Sequence, residues 1–269
     1  MNIQPLAEAV KKINAKTPIG SALRSADWAD VPLALRERAQ FSSRVESARV
    51  LSAIQDKLQK RLGLIKEQVA RGEAGVDRSS FIGDLRKIAQ EEGLGDGSGR
   101  ITDISSQARL GLIFDFQTKQ AAEYARYVAG QDTDLLDAFP AQELLRVEER
   151  EMKRDWSQRW SAAGGGFYGG RMIALKTDPV WSAISRFGTP YPPFDFGSGM
   201  GVEDVSREEA EALGVIPPGT RVPPNIVDFN AGLEASVTGL DQSLVSKLMD
   251  AFGDQLKLVS GKLKWTTQP

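Results

Sequence analysis

Apolar residues recur at every third or fourth position through most of the first half of the chain, which is the spacing of one helix face. Residues 1–16 show this spacing first, in a stripe that consists of Ile3, Leu6, Val10 and Ile13. A second stripe predicts one continuous helix from about Leu33 to Ala70, because its steps are three or four residues throughout. Its apolar positions are Phe41, Val45, Ala48, Leu51, Ile54, Leu58, Leu62, Ile65 and Val69.

Two more amphipathic helices follow. Ser79 or Ser80 can cap the first, because a serine hydroxyl accepts a bond from a backbone N–H that has no partner within the helix. The second begins near Asp103 to Ser106 and ends before Gly130, since glycine readily takes the left-handed conformation that follows a helix. Leu135 to Phe139 is predicted as a short turn.

The second half has no comparably long stripe. Residues 141–160 form a charged segment that is predicted to be helical in part, and residues 162–170, AAGGGFYGG, predict a flexible hinge where the composition changes. A short helix capped by Ser206, a helix at 240–252 and a small hairpin at 256–265 complete the predicted elements.

Together these elements predict a mainly α fold of the α+β class. Residues 1–160 are expected to form a helical domain that contains the long helix. Residues 161–269 are expected to form a loop-rich module, held together by aromatic and proline packing, with a C-terminal helix and a small β hairpin.

Residues 178–214 depart most from a regular pattern. Five aromatic residues fall within sixteen positions, although aromatic residues make up 7% of the chain; they are Trp181, Phe187, Tyr191, Phe194 and Phe196. Three prolines and three glycines lie among them or directly after them. Proline removes backbone donors and glycine allows sharp bends, so neither a regular helix nor a central strand fits. The segment therefore predicts a compact loop structure held by packed rings.

Composition narrows the chemistry. The chain has no cysteine and no histidine, which excludes thiolate catalysis, Ser-His-Asp triads and imidazole metal sites. A metal would need carboxylate, carbonyl or hydroxyl oxygens, which favours magnesium, calcium or manganese. The net charge of −2 gives no global attraction to nucleic acid or an anionic membrane. The first residues lack the apolar core of a secretory signal, and no apolar run is long enough to span a membrane.

Candidate reactive groups favour structural roles. GGGFYGG lacks the lysine and hydroxyl residue of a phosphate loop, and GLGDGSG at 93–99 has too few acids for a calcium loop. Acidic residues occur at Glu148, Glu149, Glu151 and Asp155, but Arg and Lys alternate with them as on a solvated helix face. Asp195, Glu203 and Asp204 fall in the aromatic segment, where turn and capping roles are commoner than cation binding.

The order of motifs resembles a known family. An Asp-Pro-x-Trp group at 178–181 is followed by the double proline Pro192-Pro193, a glycine turn and a short acidic helix that ends in Leu-Gly. This order is similar to the C-terminal module of the phage minor head proteins, the head-morphogenesis group that includes phage Mu protein F. The helix RLGLIFDFQTKQAAEYARY at 109–127 and the arginine-tryptophan stretch before residue 160 are also similar, so the resemblance covers roughly residues 105–215.

The resemblance implies a non-enzymatic virion protein, assembled in the host cytoplasm, that binds the portal or the major capsid protein and supports head morphogenesis. It implies no cofactor, no small-molecule substrate and no membrane partner, and at most indirect contact with packaged DNA. The structural and interface residues are then Trp156, Trp160, Trp181, Tyr191, Pro192, Pro193 and Phe194. Many family members carry a histidine and a C-x-C near this module, and because this chain has neither, a zinc site is not carried over.

Two other functions stay open at the level of sequence. One is a carboxylate-metal enzyme, such as a nuclease or a transferase, which needs clustered acids in a pocket. The other is a DNA-contacting packaging accessory that uses the basic residues on the long helix. Acidic residues interleave with those basic residues, which favours a solvated or protein-facing surface.

Overall fold

A computed structural model describes residues 4–40, 42, 44–71, 77–151, 153–225, 234–238, 240 and 242–266. The chain divides into two compact units. The first unit holds the described residues among 1–8 and 119–227, and the second holds those among 9–118 and 228–269. The predicted mainly α fold of the α+β class is confirmed.

The described residues form the following elements. The helices are α1 (Gln4–Asn14), α2 (Ser25–Ala29), α3 (Leu33–Arg38), α4 (Ala48–Arg71), α5 (Arg78–Glu91), α6 (Gln107–Ala129), α7 (Thr133–Ala138), α8 (Trp156–Ala162), α9 (Val180–Ile184), α10 (Arg207–Ala212) and α11 (Gln242–Phe252). The strands are β1 (Thr17–Pro18), β2 (Ala39–Gln40), β3 (Ala141–Arg146), β4 (Phe167–Tyr168), β5 (Arg171–Leu175), β6 (Met200–Val205), β7 (Glu234–Ser236), β8 (Leu256–Val259) and β9 (Lys262–Trp265).

A four-stranded antiparallel sheet organises the first unit, in the order β4-β5-β3-β6. Two hydrophobic clusters pack on it. One contains Leu144, Ala174 and Met200 together with tryptophans from α8 and α9. The other contains Ala141, Ile173, Val205, Ala210 and Ile216, so α10 also contributes to the core. The central strand β3 is therefore buried by side chains from both clusters.

This sheet divides the chain differently from the predicted boundary near residue 160. β3 precedes that position, yet it pairs with β5 and β6, which follow it. The predicted hinge at 162–170 contains β4 and the tight turn Gly169-Gly170, where φ is 58° and 81°. Positive φ at both turn residues is typical of a two-residue hairpin turn, so these glycines connect two paired strands.

The C-terminal segment belongs to the second unit. A three-stranded sheet of order β7-β9-β8 packs with α11 against residues from the first quarter of the chain. This core consists of Ile19, Leu23, Val31, Leu35, Ala39, Ala235, Leu244, Leu248, Phe252, Leu256, Leu263 and Trp265. The predicted helix at 240–252 and the hairpin at 256–265 are both present, although the hairpin forms part of the second unit rather than of the aromatic module.

The predicted continuous helix from Leu33 to Ala70 is wrong. Helix α3 ends at Arg38, and Ala39–Gln40 then pair in parallel with Thr17–Pro18. Arg44 takes a left-handed conformation with φ of 58°, which no regular helix accommodates. Helix α4 starts only at Ala48. Helices α3 and α4 both bury apolar residues, so the helical spacing of apolar residues continues past the end of α3. The pairing of β1 with β2 involves backbone atoms and therefore leaves no pattern of apolar residues in the sequence.

Lys12, Lys16 and Glu37 are charged side chains buried in the second unit. Lys12 forms an ion pair with Glu37, and both side chains are almost fully buried. Lys16 is 7% exposed and donates a hydrogen bond to Gln117 Oε1 at 3.3 Å. Burial and, to a smaller extent, the charge of nearby Lys12 lower the pKa of Lys16 to about 8, against the opposite effect of Glu37. Burial also lowers the pKa of Lys12, against the effect of Glu37.

Helix α5 has a different cap from either predicted serine. Asp77 precedes the helix, and its carboxylate accepts a hydrogen bond from the Ser80 backbone N–H at 2.7 Å. The Ser80 hydroxyl instead donates to the Asp77 carbonyl. An aspartate three residues before this N–H satisfies the orphan donor as a serine would, and its charge also suits the helix dipole.

Replacing Asp77 by alanine is expected to lower the free energy of unfolding by about 1 kcal/mol, because the N-terminal donors of α5 lose their partner. Ser79→Ala is the matched control and should change it by less than about 0.5 kcal/mol. Urea unfolding followed by circular dichroism measures both. A larger loss for Ser79→Ala than for Asp77→Ala would show that the cap is assigned to the wrong residue.

Candidate functional site

The aromatic segment forms the core of the first unit. Trp160 of α8 packs edge-on against Trp181 of α9, with ring centroids 5.1 Å apart. Trp181 in turn stacks on Phe194, at 6.0 Å and an interplanar angle of 24°. All three side chains are fully buried. The short helices therefore hold an irregular loop by direct ring packing, as the sequence predicted.

The indole N–H groups of Trp160 and Trp181 both have hydrogen-bond partners. Trp160 Nε1 donates to the Gly166 carbonyl at 2.8 Å, and Trp181 Nε1 donates to the Leu175 carbonyl at 2.8 Å. Leaving a buried N–H without an acceptor costs more free energy than one hydrogen bond contributes to stability. These two bonds therefore fix the positions of the rings within the core. Trp181 is thereby tied to the end of β5, and Trp160 to the loop before β4.

Tyr191 and the adjoining prolines form a second contact region within the same unit. The Tyr191 ring lies 5.6 Å from Tyr124 and 5.5 Å from Tyr127, both on α6. Tyr191, Pro192 and Pro193 are all buried, and the peptide bond between the two prolines is cis. The loop is therefore packed on helix α6 through Tyr191 and on the tryptophans through Phe194.

Backbone and hydroxyl bonds close the loop. The Arg186 N–H donates to the Phe194 carbonyl at 2.8 Å, which joins the two ends of the proline-rich turn. The Thr189 hydroxyl donates to the Tyr191 carbonyl at 3.2 Å and lies 3.3 Å from the Ser185 hydroxyl. Thr189 is fully buried, so these contacts satisfy polar groups that water does not reach.

One glycine is required by close packing. A Cβ at Gly165 would lie 2.3 Å from the Trp160 ring, a separation that real side chains do not adopt. The backbone passes close to the indole here, because the carbonyl of the next residue, Gly166, accepts a hydrogen bond from Trp160 Nε1. Part of the glycine run that the sequence suggested as a hinge is therefore specified by contact with Trp160.

The structure brings all seven predicted structural residues into one unit. Trp156, Trp160, Trp181 and Phe194 share one hydrophobic cluster, while Tyr191 packs on α6 beside the two prolines. Each of the seven is buried, the most exposed ring being Trp156 at 4%. They shape the surface from beneath and do not themselves reach a partner. Phe167 of β4 lies outside residues 178–214, and its side chain is 46% exposed.

A small cavity lies beside Tyr191. Its volume is about 40 Å³, and its lining includes Glu123, Gln142 and Lys176. Burial raises the pKa of Glu123, against the effects of Arg126 and Lys119. Lys176 forms an ion pair with Asp204 at 2.9 Å. A space of this size holds a few water molecules rather than an organic substrate.

A larger cleft opens in the second unit. It has a volume of about 430 Å³, and its lining includes Asp27, Glu46, Asp250 and Lys247 beside small and apolar residues. Arg24 lowers the pKa of Asp27 through hydrogen bonds to its carboxylate. Within the described ranges, no group of three or more acidic side chains is arranged to hold a metal ion. No helix of the described chain is both long and apolar enough to cross a membrane.

Comparison with known proteins adds no assignment: no protein-family model, no curated protein and no solved structure matches the chain.

Proposed function

We propose that the chain is a structural minor head protein of a tailed phage or prophage. It is made in the host cytoplasm, becomes part of the virion, and acts in head morphogenesis by binding the portal or the inner capsid. In this role it works through protein surfaces and carries no catalytic residue and no cofactor.

The observation that carries the proposal is that the aromatic segment is packed into one compact unit. The motifs that resemble the minor head proteins lie far apart in sequence, from the arginine-tryptophan stretch to the acidic helix α10. In the structure they belong to one compact unit, in which Trp160, Trp181 and Phe194 form one hydrophobic cluster and α10 contributes to a second. An order of motifs has a physical reason when its members fold into one unit, and this supports the resemblance.

A buried core of this kind suits a docking role. Rings and prolines fix the backbone before any partner arrives, so little conformational entropy is lost on binding. Aromatic side chains that remain exposed on such a rigid surface can contribute a large share of the binding free energy. Phe167, on the edge strand β4, is an aromatic residue of this unit with its side chain largely exposed.

The test is co-assembly. The chain is produced together with the portal and major capsid proteins encoded in the same phage genome, and heads are separated on a density gradient. We expect the chain to sediment with the heads, and Phe167→Asp to reduce its incorporation about tenfold. Ile101→Asp is the matched control, because Ile101 is 47% exposed and lies in the second unit.

Two results would contradict the proposal. The wild-type chain would remain at the top of the gradient when portal and capsid proteins are both present. Alternatively, Phe167→Asp and Ile101→Asp would reduce incorporation equally, which would show that the first unit does not provide the docking surface. Circular dichroism of each variant establishes that it is folded before the gradient is interpreted.

A further inference from the structure

Three arginines converge on one buried carboxylate in the first unit. Arg159 Nη1 lies 3.0 Å from Asp195 Oδ2, Arg154 Nη1 lies 3.7 Å from the same oxygen, and Arg186 Nη1 lies 3.6 Å from Oδ1. The Asp195 side chain is 8% exposed, whereas those of the arginines are 31–46% exposed. The carboxylate is thus at the base of the group and the guanidinium groups reach solvent.

The three guanidinium groups carry more positive charge than the single carboxylate of Asp195 neutralises. A carboxylate offers about four acceptor positions, and one of them takes the Phe196 N–H at 2.8 Å. Three guanidinium groups together carry about fifteen N–H donors. Asp155 is near in sequence, but its carboxylate accepts from the Gln158 N–H as the cap of α8. Even with both aspartates counted, the arginines leave positive charge and donors directed at solvent.

Aromatic rings hold two of these arginines in place. The Arg159 guanidinium lies over the Trp156 ring at 4.8 Å, and that of Arg186 lies over Phe196 at 5.8 Å. Arg154 Nη2 donates to the Phe196 carbonyl at 2.8 Å. Because stacking and hydrogen bonding already order these side chains, little conformational entropy is lost when an anion binds them.

An orphan donor lies next to the same group. Trp156 is 4% exposed, and its Nε1 has no hydrogen-bond partner among the described residues. A buried N–H without an acceptor is costly, and such groups often mark a place where water or a ligand binds. The Trp156 ring, over which Arg159 lies, therefore also offers an N–H donor that no described acceptor satisfies.

We propose that Arg154, Arg159 and Arg186 form a binding site for a phosphate group. A phosphate presents three or four oxygens in three dimensions, which matches donors that approach from three side chains. A carboxylate presents two oxygens in one plane, which a single arginine can already satisfy. All three guanidinium groups lie within 3.7 Å of the same carboxylate, so the site suits one compact anion rather than a long acidic chain.

The first experiment titrates the isolated, full-length chain with inorganic phosphate and follows the heat of binding. We expect saturable binding that weakens roughly tenfold in Arg154→Gln and in Arg186→Gln, as expected for the loss of a charged donor. Arg78→Gln is the matched control, because Arg78 is 46% exposed and pairs with Asp115. No saturable binding, or equal weakening in the control, would overturn the proposal.

A second variant is expected to act in the opposite direction. Asp195→Asn removes the negative charge at the base of the site and keeps an acceptor for the Phe196 N–H, so phosphate should bind several-fold more tightly. Thermal melting confirms that each variant is folded. An arginine group whose only role is to hold the loop would show no gain, and weaker phosphate binding in folded Asp195→Asn would contradict the site.

Competition then identifies the source of the phosphate. If a short DNA duplex displaces inorganic phosphate in a salt-dependent way, the site takes backbone phosphates of nucleic acid. If the duplex does not compete, the site takes free phosphate or a phosphomonoester. If polyglutamate displaces phosphate better than the duplex at equal charge, the ligand is an acidic protein segment and the phosphate assignment falls. These measurements use the isolated chain, so they succeed or fail independently of head assembly.

Discussion

Replacing Trp181 by alanine is expected to lower the free energy of unfolding by about 3–5 kcal/mol. The indole is fully buried, packs between Trp160 and Phe194, and donates to the Leu175 carbonyl. Alanine leaves a large cavity, and it also leaves that carbonyl without its indole donor. If the proposed role in head assembly is right, the same substitution should also reduce incorporation into heads, because the loop beneath the proposed docking surface loses its support.

Urea unfolding of the purified chain measures this prediction. Phe167→Ala is the control, since Phe167 is 46% exposed and its loss should cost less than about 1 kcal/mol. Trp181→Phe keeps an aromatic ring and should recover part of the stability. If Trp181→Ala unfolds at the wild-type urea concentration and enters heads normally, Trp181 has neither role.

The second unit is expected to become more stable, by about 3 kcal/mol, as the pH rises from about 8 to 10.5. The pKa of Lys16 is lowered from 10.5 to about 8 in the folded chain. Between these values the unfolded chain holds a proton that the folded chain has released, so raising the pH favours folding. Below pH 8 both states are protonated, and the penalty for burying the charge is fully present. The magnitude follows from about 1.4 kcal/mol for each pH unit.

Comparison with Lys16→Met isolates this effect. Methionine fills a similar volume and has no charge, so the variant should be more stable than the wild type at pH 7 and lose the advantage by pH 10.5. The exposed Lys257→Met is the control and should follow the wild-type dependence. Urea unfolding at both pH values gives the difference between the curves. Parallel curves for Lys16→Met and the wild type would show that Lys16 is not buried as a charge.

The helices with regular spacing and clear ends could be predicted from sequence. Helix α6 begins directly after Ser106, whose hydroxyl accepts from the Arg109 N–H at 3.0 Å, and Ser206 caps α10 in the same way. The C-terminal hairpin was also predictable from the Ser260-Gly261 pair between apolar segments, and both residues take positive φ, of 50° and 73°. In each case the residues that decide the structure are neighbours in sequence.

The central sheet could not be predicted in this way. Strand β3 is six residues long and contains Glu143 and Arg146, so its sequence has little of the usual strand composition. Its partners are β5 and β6, which begin about 30 and 60 residues later. Pairing between strands so far apart in sequence overrides the local conformational preference of these residues. Strand β3 also lacks the alternation of polar and apolar residues that would predict a strand.

The candidate sites differ in the same respect. Ring packing in the aromatic segment could be predicted, because the rings are concentrated in a short stretch that could be ordered only by packing. The arginine group could not, because Arg186 is distant in sequence from Arg154 and Arg159, and the three meet only at Asp195. Burial of the seven predicted residues also required the structure, since composition does not distinguish an exposed ring from a buried one.

The core that joins residues 19–39 to residues 235–265 sets an order of events during translation. Ile19, Leu35 and Ala39 lack their apolar partners until Leu244, Leu263 and Trp265 have left the ribosome. At ordinary rates of 5–20 residues per second, that interval lasts about 10–40 s. The aromatic unit emerges completely within this time. Residues 119–227 of the first unit therefore leave the ribosome before the core of the second unit can be completed.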